Sequence, residues 1–431
     1  MRRSFLFIGM ILILCFITAA AWAMRHKELA PIVPPAPGAM DAALVRQGEK
    51  LTSIGGCASC HRSRSGAEMS GGVRLETPFG AIYSTNITPD AETGIGTWSK
   101  AAFVRAMRQG IGRAGNFLYP AFPFDHYTLA SDEDLAAIYA HLMSRPAVKA
   151  PARGNELDFP FNIRLLMAGW NALFLNPGPY RPDPAQSQVW NRGAYLVEGL
   201  GHCAACHSPR NRLGARDRSR DYSGGVAEGW YGPALNENSP APAAWDEDAL
   251  INYLYDGWDE SHGIAAGPMA DVITNIGVLS EDDMTAVAQY LLSMQQGRAR
   301  DGEEGESAFD FADRVEFASA NEPRPPDDPA ERRGHATYEK RCANCHRAGS
   351  QSVPLALATA VASPDPRNLI HVILKGVSPS ENAYFVRPMP GFAMLGDDEV
   401  ADLVTFIRAR FSRAPPWPDT RDLVSELRAS K

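Results

Sequence analysis

The sequence predicts an all-α protein of three tandem domains of similar size, preceded by an N-terminal membrane anchor or signal segment. Three observations support this class. A Cys-x-x-Cys-His motif occurs three times at nearly even spacing, beginning at Cys57, Cys203 and Cys342. Each motif is followed by two helical patterns of the same kind, which indicates a threefold internal repeat. The 37 glycines and 33 prolines favour many turns and few long strands.

Length and composition limit the possible functions. The 431 residues suggest two to four domains, and the 45% of hydrophobic residues can bury real cores. The formal net charge of −8 argues against nucleic acid as a partner, because binding to phosphates needs a basic face. An acidic surface is more compatible with docking to another protein.

Residues 1–29 form the predicted signal or anchor segment. An apolar run from Phe5 to Ala23 is flanked by basic residues and is about long enough to span a bilayer. The run also ends in Ala-Trp-Ala, which fits a signal cleavage site, but we favour an uncleaved anchor. Cys15 lies inside the run and is interpreted as a membrane thiol without a further role. A proline-rich spacer at 30–40 follows the anchor.

The three predicted domains span residues 41–150, 187–297 and 329–417. In each, a first helix carrying Arg and Gly leads into the motif, a second helix stops at glycine, and a third helix opens with acidic residues suited to its N-terminal dipole. The first helices carry Arg46 with Gly48, Arg192 with Gly193, and Arg333 with Gly334; the second helices run from Trp98 to Gly110, from Trp245 to Gly257, and from Pro366 to Gly376; the third helices begin at Ser131, Ser280 and Gly396.

The connecting segments differ in character. The connector at 151–186 contains a strongly apolar stretch from Phe159 to Leu175, which we expect to form a helix packed between the first two domains rather than a membrane-surface or partner contact. The acidic linker at 298–328 is expected to be a flexible or surface-wrapping connector. Residues 418–431 form a C-terminal tail. The glycine pairs Gly71-Gly72 and Gly224-Gly225 are interpreted as turns, because neither has the strand-to-helix context of a nucleotide-binding loop.

Each Cys-x-x-Cys-His motif predicts one covalently attached c-type haem. Two thiols at this spacing can each add across a vinyl group of the same haem, and the following histidine then faces the iron. The attachment residues are Cys57, Cys60, Cys203, Cys206, Cys342 and Cys345, and the axial histidines are His61, His207 and His346. The alternative is a zinc site or a redox dithiol. Zinc would need further ligands near each pair, and no leftover cysteines are present to supply them.

A haem that carries electrons without doing chemistry needs a second axial ligand. Met269 and Met389 occupy one equivalent position in the second and third repeats, shortly after the glycine that ends the second helix. Met394, close to Met389, is interpreted as a core residue.

The first repeat departs from this rule, because the equivalent position holds Phe122, which cannot bind iron. His126 is the candidate sixth ligand there, followed by Met107 and then by an open position. An open position would make the protein a peroxidase-like haem enzyme, which is the competing function.

With these residues assembled, the chain resembles the three-haem cytochrome c subunits of bacterial periplasmic dehydrogenases, which include alcohol, aldehyde and gluconate dehydrogenases. The resemblance runs from about Asp41 to Trp417. The segments that carry it are TPFGAIYSTNITPD and TGIGTWS after the first motif, LYPAFPFDHYT, WNRGAYLVEGLGHCAACHSPRN, and the closing PMPGF. Alcohol dehydrogenase members usually carry Met at the position of Phe122. The AFPFDH version resembles a branch associated with molybdenum hydroxylases of the nicotinate and isoquinoline oxidoreductase type.

The resemblance implies three cytochrome c domains and a non-catalytic electron-transfer subunit of an oxidoreductase complex. The implied partners are a catalytic dehydrogenase subunit (a molybdenum hydroxylase, quinoprotein or flavoprotein) and an acceptor, either quinone or a terminal oxidase or cytochrome. The implied location is the periplasmic side of the cell inner membrane, or the periplasm if the N-terminal segment is cleaved.

Overall fold

Helices dominate the structure, a computed structural model that describes residues 26–36, 38–62, 66–296, 307–320, 327–346, 352–380 and 387–429. The chain divides into two units. The first comprises Met1–Arg181 with Glu198–His202, and the second comprises Pro182–Val197 with Cys203–Lys431. The first motif lies in the first unit, and the other two lie in the second. The division into three domains at the boundaries given above stays a prediction.

The first unit surrounds its motif with short helices and one small sheet. Its elements are α1 (Ala42–Ile54), α2 (Cys57–His61), β1 (Arg74–Thr77), β2 (Gly80–Tyr83), α3 (Lys100–Gln109), α4 (Phe124–Tyr127), α5 (Asp132–Ser144), β3 (Glu156–Leu157) and α6 (Leu166–Phe174). The three strands form an antiparallel sheet in the order β1-β2-β3.

The second unit contains the second and third repeats. Its elements are α7 (Gln188–Glu198), α8 (Ala204–His207), β4 (Gly225–Ala227), β5 (Trp230–Gly232), α9 (Glu247–Asp256), β6 (Trp258–Asp259), β7 (Gly263–Ile264), α10 (Pro268–Ile276), α11 (Glu281–Ser293), α12 (Ala308–Ala320), α13 (Pro329–Arg341), α14 (Thr359–Ala362), α15 (Arg367–Lys375), α16 (Asp397–Phe411) and α17 (Arg421–Ala429). β4 pairs with β5 and β6 with β7, both antiparallel. These short hairpins are absent from the sequence-based prediction, because strands of two or three residues carry no usable periodicity.

In each predicted repeat the glycine of the first helix lies against the backbone of the third helix. A β-carbon on Gly48, Gly193 or Gly334 would lie 1.9, 1.9 and 2.0 Å from the carbonyl oxygens of Ala137, Ala286 and Asp402 respectively. Only glycine permits so close a helix crossing. Polar pairs accompany the crossing: Gln47 with Asp134, Arg192 with Asp283, and Arg333 with Asp402. In the first repeat Gln47, and not the predicted Arg46, is therefore the equivalent of the two arginines.

The predicted helix ends are confirmed. Gly110, Gly257 and Gly376 cap α3, α9 and α15 with φ angles of 63°, 77° and 76°. The hydroxyls of Ser131 and Ser280 accept the backbone N–H groups of Asp134 and Asp283, so they cap α5 and α11 as expected.

Of the two alternatives for the acidic linker, flexible or surface-wrapping, the packing of α12 favours the second, because Phe311 and Ala312 are buried with Ala243, Ala356 and Leu357. The apolar connector does contain the predicted helix, α6, but only one face is buried, and Leu173 on the opposite face is 71% exposed. No helix in the described ranges is long and apolar enough to cross a membrane. Residues 1–25 of the predicted anchor lie outside those ranges.

Candidate haem sites

The three motifs present their cysteines on single turns of backbone. The first motif is helix α2, entered through Gly56 in the left-handed region (φ 61°). The second continues from Cys203 into α8, and the third follows the end of α13. None of the six motif cysteines is joined to another in a disulfide. Within the described ranges no three His, Cys, Asp or Glu side chains cluster in a way that could hold a metal ion.

One thiol of each motif is desolvated. Burial, reinforced by Cys60, raises the pKa of Cys57 to about 12. Burial together with Cys345 raises the pKa of Cys342 to about 11, and burial with Glu228 raises that of Cys206. One thiol of each pair therefore lies in a desolvated setting, which fits a thioether link to a large apolar ring, whereas Cys345 of the third pair is exposed.

A backbone carbonyl orients the axial imidazole in two of the motifs. His61 Nδ1 donates to the carbonyl of Thr85 at 2.6 Å, and His207 Nδ1 donates to that of Pro233 at 2.7 Å. Such a bond fixes the tautomer and directs the other ring nitrogen, Nε2, to the metal. Desolvation lowers the pKa of both imidazoles, which keeps them in the neutral form that can bind iron.

Glycine-rich loops bring these carbonyls to the histidines. The N–H of Gly71 donates to the carbonyl of His61 at 2.8 Å, and the N–H of Gly224 donates to that of His207 at 2.9 Å. Both glycines have positive φ angles, 73° and 91°. The predicted turns are thus confirmed, and they lead into the segments that end at Thr85 and Pro233.

The third motif is arranged differently. The backbone of Val353 raises the pKa of His346, while desolvation lowers it more strongly. No hydrogen bond of good geometry reaches His346 Nδ1 within the described part of the chain, and residues 347–351, directly after it, lie outside that part.

The two candidate methionines both follow a glycine-capped helix, as expected. Met269 is in the first turn of α10, after Gly267, whose φ is 57°. A β-carbon on Gly267 would lie 2.3 Å from the indole of Trp230, so this loop packs closely on β5. Met389 exchanges two backbone hydrogen bonds of 2.9 Å with Val377, directly after the cap of α15. Both methionines are half-buried. Met394 is not a core residue as expected, since its side chain is 72% exposed.

In the first repeat, α4 lies against the attachment motif. The hydroxyl of Tyr127 donates to the carbonyl of Gly55 at 2.6 Å, and Cys57 and Cys60 contribute to raising its pKa. His126, on the same helix, is 4% exposed, and its Nδ1 donates to the carbonyl of Glu198 at 2.9 Å. This is the arrangement that orients His61 and His207. Met107, the second candidate, is buried in α3.

One residue beside this site was missed by sequence reasoning. The imidazole of His202 lies 5.6 Å from the ring of Tyr127 and 6.4 Å from that of His126. Desolvation and then His126 lower its pKa to about 4, although a hydrogen bond to the backbone of Gly55 opposes this. The only available signal was its position directly before Cys203.

Comparisons with known proteins agree with this geometry. Two family models match: Cytochrome C oxidase, cbb3-type, subunit III at residues 329–407, and Cytochrome c at residues 191–295. The chain is 36% identical to the gluconate 2-dehydrogenase cytochrome c subunit of Pantoea cypripedii, covering 90% of both chains. It is 33% identical to the cytochrome c subunit of alcohol dehydrogenase (quinone) of Gluconacetobacter polyoxogenes, covering 90% of this chain and 85% of the relative.

A third relative, a subunit of the nicotinate dehydrogenase of Pseudomonas putida, is much longer than this chain. The two are 43% identical over 424 residues. The match covers 96% of this chain but 34% of that relative, so the chain spans about a third of its length.

Proposed function

This chain belongs to the family of dehydrogenase cytochrome c subunits, and we propose that it carries three covalent c-type haems as the electron-transfer subunit of a dehydrogenase complex. Three Cys-x-x-Cys-His motifs in one chain carry this proposal, together with the carbonyl-oriented imidazoles of His61 and His207. A bound c-type haem supplies a one-electron carrier whose potential the protein adjusts.

The residues that hold each haem follow from the motifs. Cys57 with Cys60, Cys203 with Cys206, and Cys342 with Cys345 form the thioether links. His61, His207 and His346 bind the iron on one side. On the other side we assign Met269 in the second repeat, Met389 in the third, and His126 in the first.

The assignment of His126 favours a carrier over a peroxidase-like enzyme. Its Nδ1 is fixed by the carbonyl of Glu198, so the ring is oriented in the way that hydrogen bonds to one ring nitrogen orient metal-binding histidines. The neighbouring Phe122 packs against the rings of Phe124 and Tyr127 and fills space beside the motif with apolar side chains.

The partner is the catalytic subunit of a dehydrogenase. A molybdenum hydroxylase of the nicotinate type is favoured over a quinoprotein or flavoprotein, because the identity to the nicotinate dehydrogenase relative is 43%, against 36% and 33% for the other two relatives described. Quinone or a terminal oxidase or cytochrome receives the electrons. The chain lies on the periplasmic side of the inner membrane, held by the segment at residues 1–29.

Mass spectrometry of the purified full chain tests the central part of this proposal. The mass should exceed that of the polypeptide by three haems that resist extraction with acidified acetone. Replacing Cys203 and Cys206 by Ala should remove one haem, whereas Cys15→Ser, the matched control outside the motifs, should keep all three. Fewer than three haems in a fully matured preparation would refute the assignment at the missing motif.

A further inference from the structure

An exposed apolar surface surrounds helix α6 in the first unit. We call the side chains that form it the apolar platform: Phe159, Ile163, Leu165, Leu166 and Leu173, which are 79%, 43%, 40%, 47% and 71% exposed. Monomeric soluble domains rarely expose so many large apolar side chains together, and such patches mark contact surfaces.

The opposite face of α6 is firmly held, so the direction of the platform is fixed. Ala168 and Trp170 are 7% and 6% exposed, and Trp170 packs edge-on against Phe124 at 5.8 Å. The side-chain amide of Asn171 donates to the carbonyl of Gln109 at 2.8 Å. Just before the helix, Arg164 donates to the carbonyl of Phe117 at 2.8 Å. The platform is therefore the outer face of a packed helix and of the residues directly before it.

The platform has the composition of a lipid-facing surface. No charged residue occurs from Leu165 to Leu175, and the outward positions around Leu166 and Leu173 are filled by Gly169 and Ala172. A helix that lies in a bilayer surface buries its apolar face about 5–10 Å into the boundary between headgroups and acyl chains. Protein interfaces usually interleave polar partners with apolar ones, whereas the one polar side chain from Leu165 to Leu175, that of Asn171, is half-buried and bonds to the carbonyl of Gln109.

The described chain begins beside this platform. The ring of His26 lies 5.3 Å from that of Phe117, and Phe117 is buried in a cluster with Ala168 and the half-buried Met167 of α6. Two further contacts hold the residues that follow His26. The N–H of Leu29 donates to the carbonyl of Arg113 at 3.0 Å, and the Arg113 guanidinium pairs with Glu28 at 2.9 Å.

The apolar run of the sequence ends at Ala23, three residues before His26. Three extended residues span at most about 11 Å. If the run crosses the bilayer, its end therefore lies within about 11 Å of His26, which itself contacts the Phe117 cluster at the start of α6. We propose that the apolar platform lies in the surface of the membrane that the apolar run crosses, so that the first unit rests on the bilayer. This inference depends on the proposed membrane anchoring.

Photolabelling from the lipid phase tests the inference. The full-length haem-containing chain is reconstituted in vesicles of phosphatidylethanolamine and phosphatidylglycerol that contain a phospholipid with a photoreactive diazirine in its acyl chain. After irradiation, labelled peptides are identified by mass spectrometry. Labels are expected both in the apolar run and between residues 159 and 173.

The outcomes separate this inference from the anchoring on which it depends. Labels in the apolar run alone would overturn the platform and leave the anchor intact. Labels in neither region would overturn both. Labels at residues 159–173 alone would support the platform and overturn the anchor.

A double variant provides a second test. Leu166→Ser combined with Leu173→Ser should lower labelling at residues 159–173 about fivefold or more relative to the apolar run, because two exposed leucines no longer favour the lipid phase. Leu213→Ser is the matched control, since Leu213 is 52% exposed in the second unit and should leave labelling unchanged. Unchanged haem absorbance verifies that the variants fold. Equal labelling in the double variant and the wild type would contradict the proposal.

Discussion

The indole of Trp230 stacks on the imidazole of His371, with ring centroids 4.4 Å apart and planes inclined by 23°. Trp230 is the first residue of strand β5. Pro233, directly after this strand, has the carbonyl that accepts the hydrogen bond from His207. His371 lies on α15, whose cap adjoins Met389. The stack thus joins the second and third repeats beside elements that adjoin a proposed axial ligand of each.

Hydrogen bonds reinforce this stack. His371 Nε2 donates to the carbonyl of Gly229 at 3.1 Å. Asn368, one turn earlier on α15, accepts from the N–H of Tyr231 at 2.9 Å and donates to its carbonyl at 2.7 Å. One face of α15 therefore holds the β4–β5 hairpin by its turn and its second strand.

The first prediction concerns Trp230. Trp230→Leu removes the aromatic stack, which contributes about 0.5–1.5 kcal/mol beyond buried area, so hydrogen exchange of the Tyr231 amide should accelerate up to about tenfold. Electron equilibration between the second and third motifs should slow in the same variant, whereas Trp230→Phe should retain both properties. Trp245→Leu is the matched control, because Trp245 stacks on His262 at 3.5 Å within the second repeat. Unaltered Tyr231 exchange in Trp230→Leu would show that the stack does not join the two repeats.

The second prediction concerns the two methionine ligands. Met269→Ala and Met389→Ala should each abolish a thioether-to-iron charge-transfer band at the red edge of the oxidised spectrum and lower the potential of one haem, because thioether ligation raises it. Met394→Ala should change neither property, since Met394 is 72% exposed. An unchanged spectrum in both ligand variants would refute the alignment of the repeats.

The third prediction concerns the helix crossing in the second repeat. Gly193→Ala would place a β-carbon 1.9 Å from the carbonyl oxygen of Ala286, and backbone on both sides limits relaxation. We expect the free energy of unfolding to fall by about 1–3 kcal/mol and Tm to fall by several degrees, both measured by calorimetry. Gly169→Ala, with no atom within 4 Å, should instead be neutral or stabilise by up to about 1 kcal/mol. Equal Tm values for the two variants would contradict the crossing.

The fourth prediction concerns His202 and pH. Its pKa is about 4 in the folded chain, below its ordinary value of 6.5, so the unfolded chain binds a proton first as pH falls. Stability from this group is fully present above pH 6.5 and decreases toward pH 4, by at most about 3 kcal/mol. Chemical denaturation of His202→Gln should show a flatter pH dependence across this window. If the free energy of unfolding depends on pH equally in the variant and the wild type, His202 is not the group that causes this pH dependence.

Local features of this protein could be predicted from the sequence. The motif cysteines, the helix-ending Gly110 and Gly257, and the capping Ser131 depend on residues a few positions apart, so their spacing specifies them. Met269 and Met389 could be aligned because they follow those glycines at nearly constant distance.

Contacts between distant segments could not be predicted. The carbonyls of Thr85, Pro233 and Glu198 orient histidines through backbone atoms, which any residue type could supply. His202 carries no pattern of its own, and α12 is stabilised by Phe311 packing on segments far along the chain. The composition of its acidic neighbours indicated only a linker.

The coordination of the first haem tests the account most directly. Electron paramagnetic resonance of the oxidised full chain should show three low-spin ferric signals, one of bis-histidine type that disappears in His126→Ala, and the reduced wild type should bind little carbon monoxide. The bis-histidine haem should also have the lowest potential of the three, because imidazole stabilises ferric iron better than thioether does. A high-spin ferric signal in the wild type, with rapid carbon monoxide binding at one haem regardless of His126, would contradict the electron-carrier account and favour a haem enzyme.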